Sequence, residues 1–102
     1  MDVTKSTELV AAARSGDVTL LRALLPEAGD LSPVMVADGI TPLMAAAAAG
    51  HHAAVALLLE RGSDPARRDL NGRSAAAYAR DAGHLQIAAQ LSALVDNAKL
   101  LR

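Results

Sequence analysis

The side chains best equipped for chemistry are three histidines, a cluster of arginines and one tyrosine. Three histidines invite a metal site. His51 and His84, however, each follow a glycine, Gly50 and Gly83, and lie at one offset of 33 residues, so they occupy equivalent positions in successive units. Packed helices stand about 8 to 10 Å apart. Two nitrogens bound to one zinc, each about 2.0 to 2.1 Å from it, are no more than about 4 Å from one another. The pair cannot share an ion, and His51 and His52, adjacent at a helix start, diverge. No metal site is expected; His51 and His84 should cap and brace the helices that they begin.

Nucleophilic and acid–base catalysis find no better footing. Ser, Thr and His sit at turn and cap positions that backbone roles explain, and the carboxylates are scattered singly rather than paired. Gly39, Gly50, Gly72 and Gly83 punctuate turns, and neither GxGxxG nor GxxxxGK[ST] occurs. No enzyme activity and no cofactor are expected. The absence of cysteine excludes disulfides and thiolate metal sites. A formal net charge of −1 argues against nucleic acid as a partner. No apolar run approaches the roughly 20 residues of a membrane span, and the N-terminus lacks a secretory pattern, so a cytoplasmic protein is expected. The lone aromatic, Tyr78, cannot stack bases or sugars by itself.

The elements that position these residues follow from one stretch, Asp-Gly-Ile-Thr-Pro-Leu-Met-Ala-Ala-Ala-Ala-Ala-Gly-His at 38–51. Asp38-Gly39 is a turn dipeptide, Thr41 an N-cap type, Pro42 suited to the first helical position and Gly50 to the C-terminal cap. Asn71-Gly72, Ser74 and Gly83-His84 repeat these marks 33 residues on. Leu9, Gly16, Leu24 and Leu25 precede Leu43, Gly50, Leu58 and Leu59 by 34. A period near 33 with Thr-Pro-Leu opening a helix resembles the ankyrin repeat. The resemblance covers residues 7–95 and is strongest in the middle unit. It departs from the family pattern at Met44, where the family has His, and at Ala75 and Ala76, which stand for Pro and Leu.

The resemblance implies an all-α ankyrin-repeat solenoid of about three helix pairs with short β-hairpin fingers. The 102 residues form one domain, with an N-terminal unit at about 6–35, a middle unit at 36–68 and a C-terminal unit at 69–102. Helices are expected at 7–15, 18–25, 42–49, 52–61 and 75–82, with residues 1–5 frayed and Ser6 as first N-cap. Leu20, Leu21, Leu24 and Leu25 should face inward. Ile87, Leu91, Leu94, Ala98 and Leu101 continue a 4-3-4-3 spacing, which extends the last helix from Leu85 almost to the C-terminus. Alanine-rich composition suits thin helix layers that approach closely. Fingers should fall at 34–40 and 66–73, the second with Asn71-Gly72 at the centre of a two-residue turn. Tyr78 should be core, with its hydroxyl on a polar partner.

Ankyrin repeats bind proteins through finger tips and the exposed positions of the first helices. Carried onto this chain, the resemblance implies a surface of Met35, Asp38 and Ile40, then Arg68, Leu70, Asn71, Arg73 and Asp81. Its first finger is apolar and its second basic, so the partner should offer an apolar patch flanked by acidic residues. Arg61, Arg67, Arg68, Arg73 and Arg80 fall within twenty positions, with Asp64, Asp69 and Asp81 near enough in sequence to neutralise them. The expected role is a protein-binding adaptor or, alternatively, a dedicated inhibitor of an enzyme or toxin, an immunity-type partner. Leu94, Leu100 and Leu101 lie beyond the repeat and suggest weak self-association through the C-terminal helix.

Overall fold

The computed structural model describes residues 3–24, 39–61 and 63–100, with side chains at 7–24, 39–61 and 63–96. Six helices run in order: α1 Val3–Ser15, α2 Val18–Leu24, α3 Pro42–Ala49, α4 His52–Glu60, α5 Ala75–Asp81 and α6 Leu85–Leu100. They form three antiparallel pairs. The first helices pack in a row, α1 on α3 and α3 on α5, while α2 lies on α4 behind them.

Each pair is built by the same local devices. Thr41 Oγ1 accepts from the Met44 amide at 3.3 Å, and Ser74 Oγ accepts from the Ala77 amide at 3.4 Å. These satisfy donors that the first turns of α3 and α5 leave open. Pro42 has no amide to lose at the first helical position. At the other end, Gly16, Gly50 and Gly83 all take φ between 77 and 87°. There the glycine amide reaches back to Ala13, Ala47 and Arg80, and the next residue's amide to Ala12, Ala46 and Ala79. This Schellman arrangement turns the chain into the second helix and favours a residue without Cβ.

Alanine sets how close the layers come. Ala46, Ala47, Ala54 and Ala79 are wholly buried, with Leu43, Val55, Leu57 and Leu58 filling the space around them. Ile87 and Leu91 continue that core onto α6. The departure at Met44 has a local answer. Its thioether sulfur accepts from the Thr41 amide at 3.4 Å, so Thr41 and Met44 cap each other reciprocally. Sulfur is a weaker acceptor than the oxygen of a standard capping box.

Three expectations need correction. Helix α1 starts at Val3, because nothing in Val3-Thr4-Lys5 interrupts a helix, and Ser6 lies inside it rather than capping it. Leu20 is 44% exposed; it lies on the side of α2 that no other described helix covers. Leu94 is 39% exposed on α6, in keeping with its place beyond the repeat, while Leu25, the first finger up to Asp38, and Leu101 lie outside the described residues. The Asn71-Gly72 turn is also shifted. The Gly72 amide reaches the Asp69 carbonyl, the Asp69 amide reaches the Arg73 carbonyl, and Arg68 bridges Ser74. The reversal is therefore a turn over 69–72 with Gly72 at φ 79° just after its centre, the three-residue hairpin with a glycine bulge.

Burial separates the leucines by energetic weight. Leu58→Ala, in the middle unit with neighbours on both sides, should cost about 2 to 5 kcal/mol in urea unfolding. Leu94→Ala should stay within about 0.5 kcal/mol, as surface substitutions do.

Candidate protein-binding surface

The second finger is held by one carboxylate. Asp69 is buried, and its Oδ1 accepts from the Asn71 and Arg73 amides, both at 2.9 Å. Its Oδ2 accepts from the Tyr78 hydroxyl. One side chain thus ties both arms of the finger to α5. The Tyr78 hydrogen bond, then the Arg73 amide, hold the Asp69 carboxyl below the ordinary aspartate range, against the opposing effect of burial. Asp69 stands at the first position of its turn, where aspartate accepts amides two residues on. That signal, Asp before Leu-Asn-Gly, is readable in sequence, and it gives Asp69 a larger part than neutralising arginines.

Around this anchor the recognition groups are set in place. Arg73 pairs with Asp81 of α5 at 2.8 Å, and its guanidinium carbon stands 6.0 Å from the Tyr78 ring centroid. Arg68 donates to the Gly72 carbonyl at 3.4 Å across the turn. Leu70 at the tip is 81% exposed. Gly39 lies against the same tip: a Cβ there would stand 3.3 Å from Asp69 Cα and from the Leu70 amide nitrogen. Gly39 lets the two backbones approach, at a φ of 76°.

Arg68, Leu70, Asn71, Arg73 and Asp81 are all exposed, the first four on the second finger and Asp81 at the end of α5, where it meets Arg73. Ile40 is half buried and packs against the core; most of its side chain is committed to the fold. Met35 and Asp38 lie outside the described residues. Ala48 and Ala49 of α3 are half buried, and Arg14 and Asp81, which correspond to Ala48 on α1 and α5, are exposed.

His51 does something other than cap α4. Its side chain makes no bond to that helix. Instead Nε2 meets the Arg14 carbonyl of α1 at 3.0 Å, satisfying an end carbonyl in the neighbouring unit. The ring lies over Gly16, where a Cβ would come within 2.7 Å of it, and His84 lies over Gly50 in the same way at 2.5 Å. Tyr78 behaves as expected, packed on the core with its hydroxyl satisfied.

Ankyrin repeats in three copies match residues 9–99. The chain belongs to the ankyrin-repeat family, whose members are generally protein–protein interaction modules and typically non-catalytic. It is 36% identical over 86 residues to the ARF GTPase-activating protein GIT1 of Homo sapiens, covering 84% of this chain and 11% of that protein. It is 41% identical over 80 residues to a probable E3 ubiquitin-protein ligase, XBOS32, of Oryza sativa subsp. japonica, covering 78% and 16%. To the tRNA endonuclease ANKZF1 of Homo sapiens it is 42% identical over 80 residues, covering 72% and 11%. The chain spans a small fraction of these relatives' length, and the activities in their names are said of those proteins. No described helix is long and apolar enough to cross a membrane.

Asp69 gives the finger a pH dependence of definite sign. A carboxyl held low in the folded state stabilises fully above the unfolded value of about 3.9 and loses that contribution as pH falls through its lowered value. The stability gap between wild type and Asp69→Asn should therefore be widest at neutral pH and narrow below about pH 4. Urea melts at several pH values measure it; a gap that stayed constant into acid would mean that the carboxylate charge is not what ties the finger down.

Proposed function

We propose that the chain binds another protein through the second finger and the adjoining concave face, with Leu70 as apolar anchor and Arg68 and Arg73 at its edge. The observation that carries this reading is Leu70 itself, a large apolar side chain 81% exposed on a turn that Asp69 makes rigid. An ordered apolar group costs little entropy to immobilise on binding, and such groups become anchors when a partner pocket covers them. Arg73, partly neutralised by Asp81, keeps donors for a second acceptor. The fitting partner surface is an apolar pocket with acidic residues beside it, met in the cytoplasm.

Ile40 contributes by supporting the finger rather than by contact, since it packs inward. Capture of partners from cell extract with the wild-type chain and with Leu70→Ala/Arg73→Glu tests the surface. Proteins held by the first and lost by the second identify the partner, and their nature decides between an adaptor and an inhibitor. Identical capture by both would place binding elsewhere on the chain.

With a partner in hand, the two kinds of contact should separate kinetically. Leu70→Ala should mainly speed dissociation, lowering affinity about 5- to 30-fold for a loss of about 1 to 2 kcal/mol. Arg68→Glu should mainly slow association, more so at low salt. Surface plasmon resonance at two ionic strengths reads both.

A further inference from the structure

The Asn71-Gly72 pair sets a nucleophile beside an electrophile within the backbone itself. Ring closure between an asparagine carboxamide and the next residue's amide nitrogen is hindered chiefly by that residue's side chain, and glycine has none. The surroundings add no hindrance: Asn71 and Gly72 are exposed, and a Cβ built on Gly72 would find no atom within 4 Å. Among the described residues nothing bonds the Asn71 carboxamide.

What opposes the reaction is the turn. The Gly72 amide, which must act as the nucleophile, donates to the Asp69 carbonyl at 3.0 Å. The amides on either side of it, those of Asn71 and Arg73, both donate to Asp69 Oδ1 at 2.9 Å. A nitrogen whose hydrogen is held by a carbonyl cannot turn toward the side chain that precedes it, so cyclisation waits until the turn opens. Arg68 works in the other direction. It donates to the Gly72 carbonyl at 3.4 Å, and a cation beside an amide that must lose its proton favours the anion.

We propose that Asn71 is a site of spontaneous deamidation in the folded protein, gated by local opening of the turn that Asp69 closes. In the open turn the Gly72 nitrogen gives up its proton and bonds to Asn71 Cγ. The Cγ–Nδ2 bond breaks, and Nδ2 leaves as ammonia with that proton. Water then opens the cyclic imide and returns a proton to the Gly72 nitrogen. Attack at Cγ gives aspartate, and attack at the backbone carbonyl carbon gives isoaspartate, whose main chain is longer by one methylene. Water is the co-reactant, and nothing is oxidised or reduced.

Either product alters the surface on which Leu70 stands. A carboxylate replaces a neutral amide between Arg68 and Arg73 and lowers the positive charge offered to an acidic partner. Isoaspartate also lengthens one arm of the finger, so the Arg73 amide and carbonyl no longer meet Asp69 in register. The loss of affinity rests on the finger being the binding surface; the deamidation does not. Asp69 thus preserves the surface as well as shaping it.

Incubation of the full chain in mildly alkaline buffer, followed by mass analysis of the tryptic peptide 69–73, tests the proposal. The peptide should gain the mass difference between an amide and an acid, and isoaspartyl methyltransferase should label part of the product. Asn97, followed by alanine, should change far more slowly. The folded chain should react about 10- to 100-fold more slowly than the same chain in urea, the effect of the few hydrogen bonds that must open first. Asp69→Ala should move the folded rate toward the rate in urea. Ile87→Val, a mild loss in the buried core, should leave the folded rate unchanged, because the opening is local. Circular dichroism checks the fold, and should Asp69→Ala lose helix, the wild type with and without urea still decides. No conversion of the folded wild type while the chain in urea converts overturns the proposal. So do equal rates in the two states, or a folded rate raised as much by Ile87→Val as by Asp69→Ala.

Discussion

A helix of two turns cannot bury an apolar face by itself, and four of the six helices among the described residues are seven to nine residues long. Isolated helices of that length are marginal in water. What makes them stable is a neighbouring pair pressed close, and alanine at 46, 47, 54 and 79 is what permits the approach. The same residues that give close packing give little area each, so stability is spread over junctions rather than held in one core. Every junction must therefore be in register.

Registration comes from glycine and histidine together. The positive φ of Gly16 and Gly50 turns each first helix into its partner, and the missing Cβ leaves a seat for the ring of the next unit. His51 fills the first seat and bonds the Arg14 carbonyl, an end carbonyl that no longer has a helical partner. His84 fills the second. Gly39 is placed in the same sense, resting against the Asp69–Leu70 backbone. A side chain so placed joins units without demanding bulk at the interface, and the binding surface inherits its rigidity from that joint and from Asp69.

Much of this was legible in the sequence, because the devices that repeat leave marks that repeat. Thr41-Pro42, Ser74 and the three Gly-turn positions located every helix boundary in the middle and last units to within a residue. What the sequence left obscure were relations across units. The offset of 33 showed that His51 and His84 are equivalent but not that each ring serves the unit before it. Leucine at 20 reads the same whether or not a further pair covers it, and only the stack shows that none does among the described residues. Within the finger, Asn-Gly signalled a turn correctly, yet its place depended on Asp69, whose carboxylate fixes the reversal one residue earlier than the dipeptide alone implies. Of the surface residues, Arg73 and Asp81 meet in an ion pair that the resemblance did not foretell, while Ile40 is half buried and packs on the core.

The seating of histidine on glycine can be measured directly by a double-mutant cycle on Gly16→Ala and His51→Ala. The strain of a Cβ at positive φ is common to both backgrounds and subtracts out, leaving only the encounter of that Cβ with the ring. Seating predicts that Gly16→Ala costs more in the wild type than in the His51→Ala background, with a coupling of about 1 kcal/mol or more in urea unfolding. Costs that add within about 0.3 to 0.5 kcal/mol would contradict it and would mean that the units are held in register by their alanine layers alone.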